Sequence, residues 1–536
     1  MDHAHEERRR GSLMTNPHHN QPMNLRSVYL GACLLLSLGA AGAQSLSNVA
    51  LPPTVLEALK KAEMPTDALA VVALPLGPGR ARAWGHQARR PMQPASTMKL
   101  ITSIVALDRL GPNQRGFTEF RSAAALVDGT LQGDLVLRGG ADPELGVPQL
   151  WALLLELRHQ GIQTIAGDLV IDRNLWRPAR MDLGLPPFDD APEFPYNVIP
   201  DALQLAGNLL PIAFSSDALG VSATTVPPLD GLSFRSQMTL NERGCADWDD
   251  DWLPAAVQRD GKGTVIELRG AFPKNCKQRA ELQLLDRTEL AERLLRTLWQ
   301  QLGGRWDGRA VESATTTSTT TSATAVASTP TRLLARRQSR PWGEVLRFMN
   351  KTSDNAVTRM LYLNLGVAGM AADPLSSTAA LADKAVQQWF VEQGIDAQGL
   401  VMDNGSGLSR SARISALQMA LALKVAHQSR YAADLTMSLP TAGVDGTMRL
   451  RLANSPANGW ARLKTGTLRN AVALAGYMKD ADGQPWVVAM ILNHEPAGRG
   501  RPVLDALVDH IARLGVPGNL SLKARAQRTG PQGEGP

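Results

Sequence analysis

Three short stretches, far apart along the chain, constrain its fold more than anything else in it: Ser96-Thr97-Met98-Lys99, Ser353-Asp354-Asn355 and Lys464-Thr465-Gly466-Thr467. Of the 12 lysines, only Lys99 has a serine three positions before it. Leu100, Ile101, Ile104, Val105, Leu107 and Leu110 then recur at helical spacing until Gly111-Pro112 stops the run. Ser96 and Lys99 therefore open a helix and share one of its faces, each within reach of the other. Ser353-Asp354-Asn355 lies between two helical stretches, and Lys464-Thr465-Gly466-Thr467 lies inside a strand-like run, 459–468. If the three act together, the chain must fold back across the 257 residues that separate Ser96 from Ser353.

The residue types suit nucleophilic catalysis. A serine hydroxyl is a poor nucleophile at neutral pH, and a neighbouring amine takes its proton only if burial or another cation depresses the amine's own pKa. Lys99 supplies that amine for Ser96. Ser353 suits a proton relay between Lys99 and a leaving group, and the Asn355 amide suits holding both Lys99 and a substrate carbonyl. On the strand, Lys464 brings positive charge, Thr465 and Thr467 bring donors for a carboxylate, and Gly466 lets a substrate backbone pair closely. Taken singly, each stretch also fits a helix cap, a turn or an exposed strand lysine. Their combination, one on a helix start, one on a loop and one on a strand, points to a single site. No G-x-S-x-G elbow is present, and the histidines beyond residue 43 (His86, His159, His427, His494, His510) adjoin none of the three stretches.

The set resembles the signature of class A β-lactamases and penicillin-binding proteins. The long span before Ser353 exceeds what a compact β-lactamase needs. In this the chain resembles the serine-type D-alanyl-D-alanine carboxypeptidase/endopeptidase family, the class C low-molecular-mass penicillin-binding proteins, which carry two extra domains at that point. The likeness covers nearly all of 50–515, including segments 133–143, 167–172, Asn404-Gly405-Ser406-Gly407-Leu408-Ser409-Arg410 and 439–447. It implies hydrolysis of D-Ala-D-Ala termini of peptidoglycan stem peptides, and of D-Ala-diamino-acid cross-links, through an acyl-enzyme on Ser96. The backbone N–H groups of Ser96 and Thr467 would receive the oxyanion, and β-lactams would be covalent inhibitors at the same serine. Arg410 is implied near the substrate, although position 404, an aspartate in many members, is Asn404 here. In Phe188-Asp189-Asp190 the resemblance implies a carboxylate for the free amine of a diamino acid, Asp190 first and Asp189 second; a solvated acidic loop competes with it. Two alternatives stand beside the peptidase: a β-lactamase, and a catalytically silent peptidoglycan-binding protein on the same fold.

The rest of the chain supplies context. Arg8, Arg9, Arg10 and Arg26, the apolar stretch Val28–Leu38 and Ala41-Gly42-Ala43 read as an export signal over 1–43, cleaved before Gln44. Its roughly 16 apolar or small residues fall short of the ~20 that a spanning helix needs, so no stable membrane span is expected after cleavage. Removing the leader removes Cys33 and leaves Cys245 and Cys276, an even pair in an oxidising compartment, which predicts a disulfide. Two cysteines with no nearby histidine, and no H-E-x-x-H, argue against a zinc site, and no cofactor is expected. The net charge of +6 is spread without a basic run outside the leader, unlike a nucleic-acid binder.

At 536 residues, 44% hydrophobic, the chain has room for roughly three to four domains. We expect an α/β (α+β) multidomain fold: a β-lactamase/transpeptidase-like domain of helices around an antiparallel sheet, split into 44–117 and 332–517. The region 118–312 is expected to hold two smaller inserted domains. A Ser/Thr/Ala-rich linker over 313–331 and a polar tail over 518–536 complete the division.

Overall fold

A computed structural model describes residues 46–48, 50–77, 81–260, 263–313 and 331–515. The expected leader, the polar tail and all but the ends of the expected linker lie outside the described residues.

Three apolar runs near the C-terminus and one near the N-terminus make the central sheet. Its six strands lie in the order Ser47–Asn48, Trp84–His86, Leu69–Pro75, Pro485–Asn493, Ala471–Lys479, Arg462–Leu468. All neighbours are antiparallel except the first pair. Strands covered on both faces carry few polar residues, which is why 69–75 and 471–479 read as nearly unbroken hydrophobic runs. The two faces are nonetheless different. On one, Val71, Val472, Leu474, Val488 and Met490 pack with Val55 and Leu59 of the helix Pro53–Lys61 and with Leu504, Leu507 and Ile511 of the helix Arg501–Ala512. On the other, the alternate positions are small: Ala471, Ala473 and Ala475, with Ala489 paired to Ala475. This row of alanines lets the helix Ala416–Gln428 and the turn at Ser96 approach the sheet closely. Lys464, cross-strand neighbour of Ala475, belongs to that second face.

The helical periodicity of 342–365 is interrupted once. The chain forms two helices, Trp342–Thr352 and Asn355–Val367, broken at Ser353, whose φ of +63° lies in the left-handed region and ends the first helix.

Residues 117–338 build a second centre. A five-stranded sheet runs Ala310–Glu312, Leu169–Asp172, Leu135–Gly140, Phe117–Ser122, Arg332–Gln338. Its core joins Phe120, Leu137 and Ile171 to Leu150, Leu154 and Leu157 of the helix Val147–His159 and to Leu294 and Leu298 of the helix Arg287–Gln301. The strand Arg332–Gln338 pairs with Phe117–Ser122, so chain entry and exit lie side by side. Farther out, a three-stranded sheet (Val221–Thr225, Leu210–Ser216, Lys277–Leu282) stands beside a four-stranded one built on Gly263–Pro273. The rings of Phe194, Phe214, Trp248, Trp252 and Phe272 cluster together in stacked, tilted and edge-on pairs, and Cys245 and Cys276 form a disulfide with Cα atoms 5.4 Å apart.

An ionic cluster, buried at Arg173, Asp201 and Arg287, ties the loop 173–201 down. Arg173 and Arg287 both hold Asp201, and Arg180 bridges Asp182, Asp286 and Glu312. The same loop is stitched to the helix Asn355–Val367 by Trp176 Nε1 donating to Asn364 Oδ1 and Arg359 donating to the Val198 carbonyl. These contacts bring residues 188–198 against the end of that helix where Asn355 lies.

Candidate active site

Ser96 sits in a 3-10 turn, Ala95–Thr97, that runs directly into the helix Met98–Arg109. Two glycines close on this turn from opposite sides. A Cβ on Gly466 would fall 2.6 Å from the Pro94 carbonyl oxygen and 3.0 Å from the Ser96 nitrogen. One on Gly407, whose φ is +79°, would fall 1.9 Å from the Ala95 carbonyl oxygen. No side chain fits either gap, so the strand of Lys464 and the loop of Arg410 reach the serine only because these positions are glycine.

Lys99 is fully buried, and its Nζ has three partners: Ser96 Oγ at 3.1 Å, Asn355 Oδ1 at 2.6 Å and the Ser406 carbonyl at 2.7 Å. The last two can only accept a hydrogen. A neutral amine has two N–H bonds and one lone pair, so those acceptors use both hydrogens and leave the lone pair for the Ser96 hydroxyl. The surroundings favour this neutral form. Burial, and then the positive charge of Lys464, hold the Lys99 pKa well below its ordinary value.

Lys464 is also fully buried and donates to Ser353 Oγ at 2.8 Å and to the Thr465 carbonyl at 2.9 Å. Ser353 therefore hydrogen-bonds with Lys464. The reason is geometric: the left-handed backbone at Ser353 turns its hydroxyl to the strand, and Asn355, two residues on, takes the contact with Lys99. Asp354 between them caps the second helix, accepting from Val357 N at 2.8 Å. Its carboxyl pKa is raised, chiefly by burial.

Burial pushes Lys464 down to about 7 from an ordinary 10.5. The unfolded chain therefore binds more protons than the folded one between those values, and the contribution of this residue to stability rises with pH across that window. Lys464→Met is expected to melt several degrees above the wild type at and below pH 7. The gain should shrink as pH approaches 10.5, where the unfolded lysine also loses its proton. Thermal melts of the two proteins over pH 6–10 measure this, and a gain independent of pH would contradict it.

The strand Arg462–Leu468 is the last of its sheet. An isolated bridge from Thr441 to Arg462 covers its start, and Gly466 and Thr467 lie beyond that bridge. Thr465 Oγ1 lies 2.7 Å from Thr447 Oγ1, and Thr467 is exposed. Asn355 also donates from Nδ2 to the Tyr196 carbonyl at 2.9 Å, so one of its two amide hydrogens is held within the protein. Arg410 reaches the same loop. Its Nη2 donates to the Phe188 carbonyl at 2.8 Å, and its guanidinium lies 5.4 Å from the centre of the Phe188 ring. Asn404 does not face Arg410: it accepts from Ser406 N and donates to the Leu408 carbonyl, bracing its own loop as an aspartate could not. Asp189 accepts from Ala191 N, Tyr196 Oη and Asn197 Nδ2, which commits both its oxygens locally. Asp190 is exposed and forms no hydrogen bond or ion pair among the described residues.

Ser96, Lys99, Ser353, Asn355, Lys464, Thr465 and Gly466 thus meet in one place. The sequence did not point to three further participants: the Ser406 carbonyl, the Tyr196 carbonyl and Thr447. The first two are backbone atoms and leave no side-chain signature. The only trace of the Ser406 carbonyl was the glycine on either side of it, Gly405 and Gly407, both with positive φ.

The D-Ala-D-Ala carboxypeptidase 3 (S13) family matches the chain over residues 53–514. A D-alanyl-D-alanine carboxypeptidase of Actinomadura sp. is 27% identical over 435 residues, 78% of this chain and 76% of that one. D-alanyl-D-alanine carboxypeptidase DacB of Haemophilus influenzae is 25% identical over 414 residues, 76% of this chain and 81% of that one. The crystal structure of penicillin binding protein 4 (dacB) from Haemophilus influenzae superposes with a TM-score of 0.66 at 23% identity, covering 86% of this chain and 99% of the other, and so shares the fold.

Proposed function

Because the chain belongs to the D-Ala-D-Ala carboxypeptidase 3 (S13) family, we propose that Ser96 is the nucleophile with which it removes the terminal D-alanine of peptidoglycan stem peptides. The protein is a serine-type D-Ala-D-Ala carboxypeptidase, a peptidoglycan D,D-peptidase. The observation that carries the assignment of its site is the pairing of a fully buried Lys99 with the Ser96 hydroxyl at 3.1 Å.

In this reading Lys99 takes the Ser96 proton as Oγ bonds to the carbonyl carbon of the penultimate D-alanine. The oxyanion is received by the backbone N–H groups of Ser96 and Thr467, where one such donor is worth ~3–4 kcal/mol. The C–N bond breaks as the departing amine takes the proton that Lys99 received from Ser96, handed across the occupied cleft through the Ser353 hydroxyl, and Lys99 is left neutral again. An ester on Ser96 remains, which water hydrolyses with Lys99 again as base. Asn355 holds the acyl chain. Lys464, Thr465 and Thr467 bind the terminal carboxylate, and the edge position of their strand supports pairing with an extended peptide. Asp190, exposed and, unlike Asp189, not committed to neighbours among the described residues, would meet the amine of a diamino-acid side chain. A site of that kind also accepts the D-alanyl-diamino-acid cross-link, so endopeptidase activity is part of the proposal, as is acylation of Ser96 by β-lactams. The leader pattern at 1–43 and the Cys245–Cys276 disulfide support a periplasmic location. Among the described residues no helix is long and apolar enough to cross a membrane.

Mass spectrometry of products from defined muropeptides tests the reading. Pentapeptides should lose one D-alanine, and cross-linked dimers should be converted to monomers. Muropeptides that bind but stay intact would leave the silent scaffold as the better description. Rapid turnover of penicillin, with no stable adduct, would favour a β-lactamase.

A further inference from the structure

The carboxylate end of the site has a feature outside the three motifs. Thr465 and Thr447 place their hydroxyl oxygens 2.7 Å apart, close enough for one hydrogen bond and with a single proton between them. A carboxylate only accepts hydrogen bonds, and a hydroxyl has one hydrogen to give. If Thr465 gives its hydrogen to Thr447, it has none for a substrate carboxylate. If Thr447 is the donor, the Thr465 hydrogen is released toward the cleft.

Thr447 is not placed by chance contact. It lies in a 3-10 turn, Gly446–Met448, that rests on the helix bearing Ser353 at its end. Gly446 has φ +55°, and a Cβ there would come 2.7 Å from the Lys351 carbonyl oxygen. Asp445 anchors the turn from the other side. One of its oxygens pairs with the Lys351 ammonium, and the other accepts from Thr441 N at 2.8 Å. Lys351 also donates to the Leu439 carbonyl at 3.1 Å, two residues before Ser353. One ion pair therefore fixes both the turn of Thr447 and the helix end that presents Ser353.

We infer that Thr447 is a positioning residue for substrate specificity: it donates its hydrogen to Thr465, so that Thr465 can donate to the terminal carboxylate, and the Lys351–Asp445 pair holds it in place. This rests on the proposed use of Lys464, Thr465 and Thr467 as the carboxylate site. Thr447 itself is exposed, so its replacement should leave the fold intact.

The test compares two probes, an N-acylated peptide ending in D-Ala-D-Ala and the same peptide as its C-terminal carboxamide. The wild type should prefer the free acid. Thr447→Val should reduce that preference about tenfold, through a higher KM for the acid with kcat nearly unchanged and with little effect on the carboxamide. Thr447→Ser should restore the preference, and Asp445→Asn should weaken it in the same sense. An unchanged acid-to-amide ratio in Thr447→Val, or an equal loss on both probes, overturns the inference while leaving the Ser96 reading standing. A wild type that acylates with neither probe overturns both.

Discussion

Ser96→Ala should fold as the wild type does and yet release D-alanine at least ~10⁴-fold more slowly, with no covalent adduct formed from any substrate or β-lactam. The fold should survive because the change removes a single oxygen from a turn held by backbone contacts. Gly466 and Gly407 pack against the backbone of residues 94–96, and neither depends on the Ser96 hydroxyl. The chemistry should not survive, since the remaining groups can bind and polarise the peptide but offer no atom to accept the acyl group. Ser353, the other serine of the site, is held by Lys464. Single-turnover release of D-alanine, measured beside a thermal melt, separates loss of chemistry from loss of structure. Penicillin labelling of Ser96→Ala equal to that of the wild type would refute the assignment.

Lys99→Met should lower acylation by about 10³-fold or more, within the range for loss of a positioned base. The substitution keeps the length of the side chain and removes an amine whose burial in charged form is unfavourable, so the variant should not be less stable at neutral pH. Its pH profile is the more discriminating readout. In the wild type, acylation requires neutral Lys99 and so should rise with pH through the lowered pKa of that group, well below the ordinary lysine value. On the alkaline side, recognition of a carboxylate should decline as free Lys464 loses its proton near pH 7 and above. Lys99→Met should lose the acid limb and keep the alkaline one. Pre-steady-state acylation across pH 5–10 would show it, and an acid limb retained in Lys99→Met would exclude Lys99 as the base.

The chemistry was legible where it dictates residue type and spacing. Ser96 and Lys99 had to be three apart on a helix to meet, and they do, at 3.1 Å. Lys464, Thr465 and Gly466 lay in a strand-like run, and that run is the edge strand of the central sheet. The paired alanines, Ala475 and Ala489, lie on the two neighbouring strands, and their role in bringing the helices close emerges only from the strand register. Other features depend on backbone conformation, which a one-dimensional pattern does not carry. The left-handed turn at Ser353, which aims its hydroxyl at Lys464, is one of these, although the motif itself was evident. The Ser406 carbonyl contributes through its backbone, so any residue with the same φ and ψ could supply it. Strand Arg332–Gln338 has half-exposed charged positions, and its pairing with Phe117–Ser122 is a long-range event that local periodicity does not announce.

The most direct measurement is the site of covalent attachment. Full-length protein incubated with benzylpenicillin, digested and sequenced by mass spectrometry, should carry the penicilloyl mass on the peptide containing Ser96 and on no other. Attachment to Ser353 or elsewhere, or continued cleavage of muropeptides by protein whose Ser96 is fully blocked, would contradict the account.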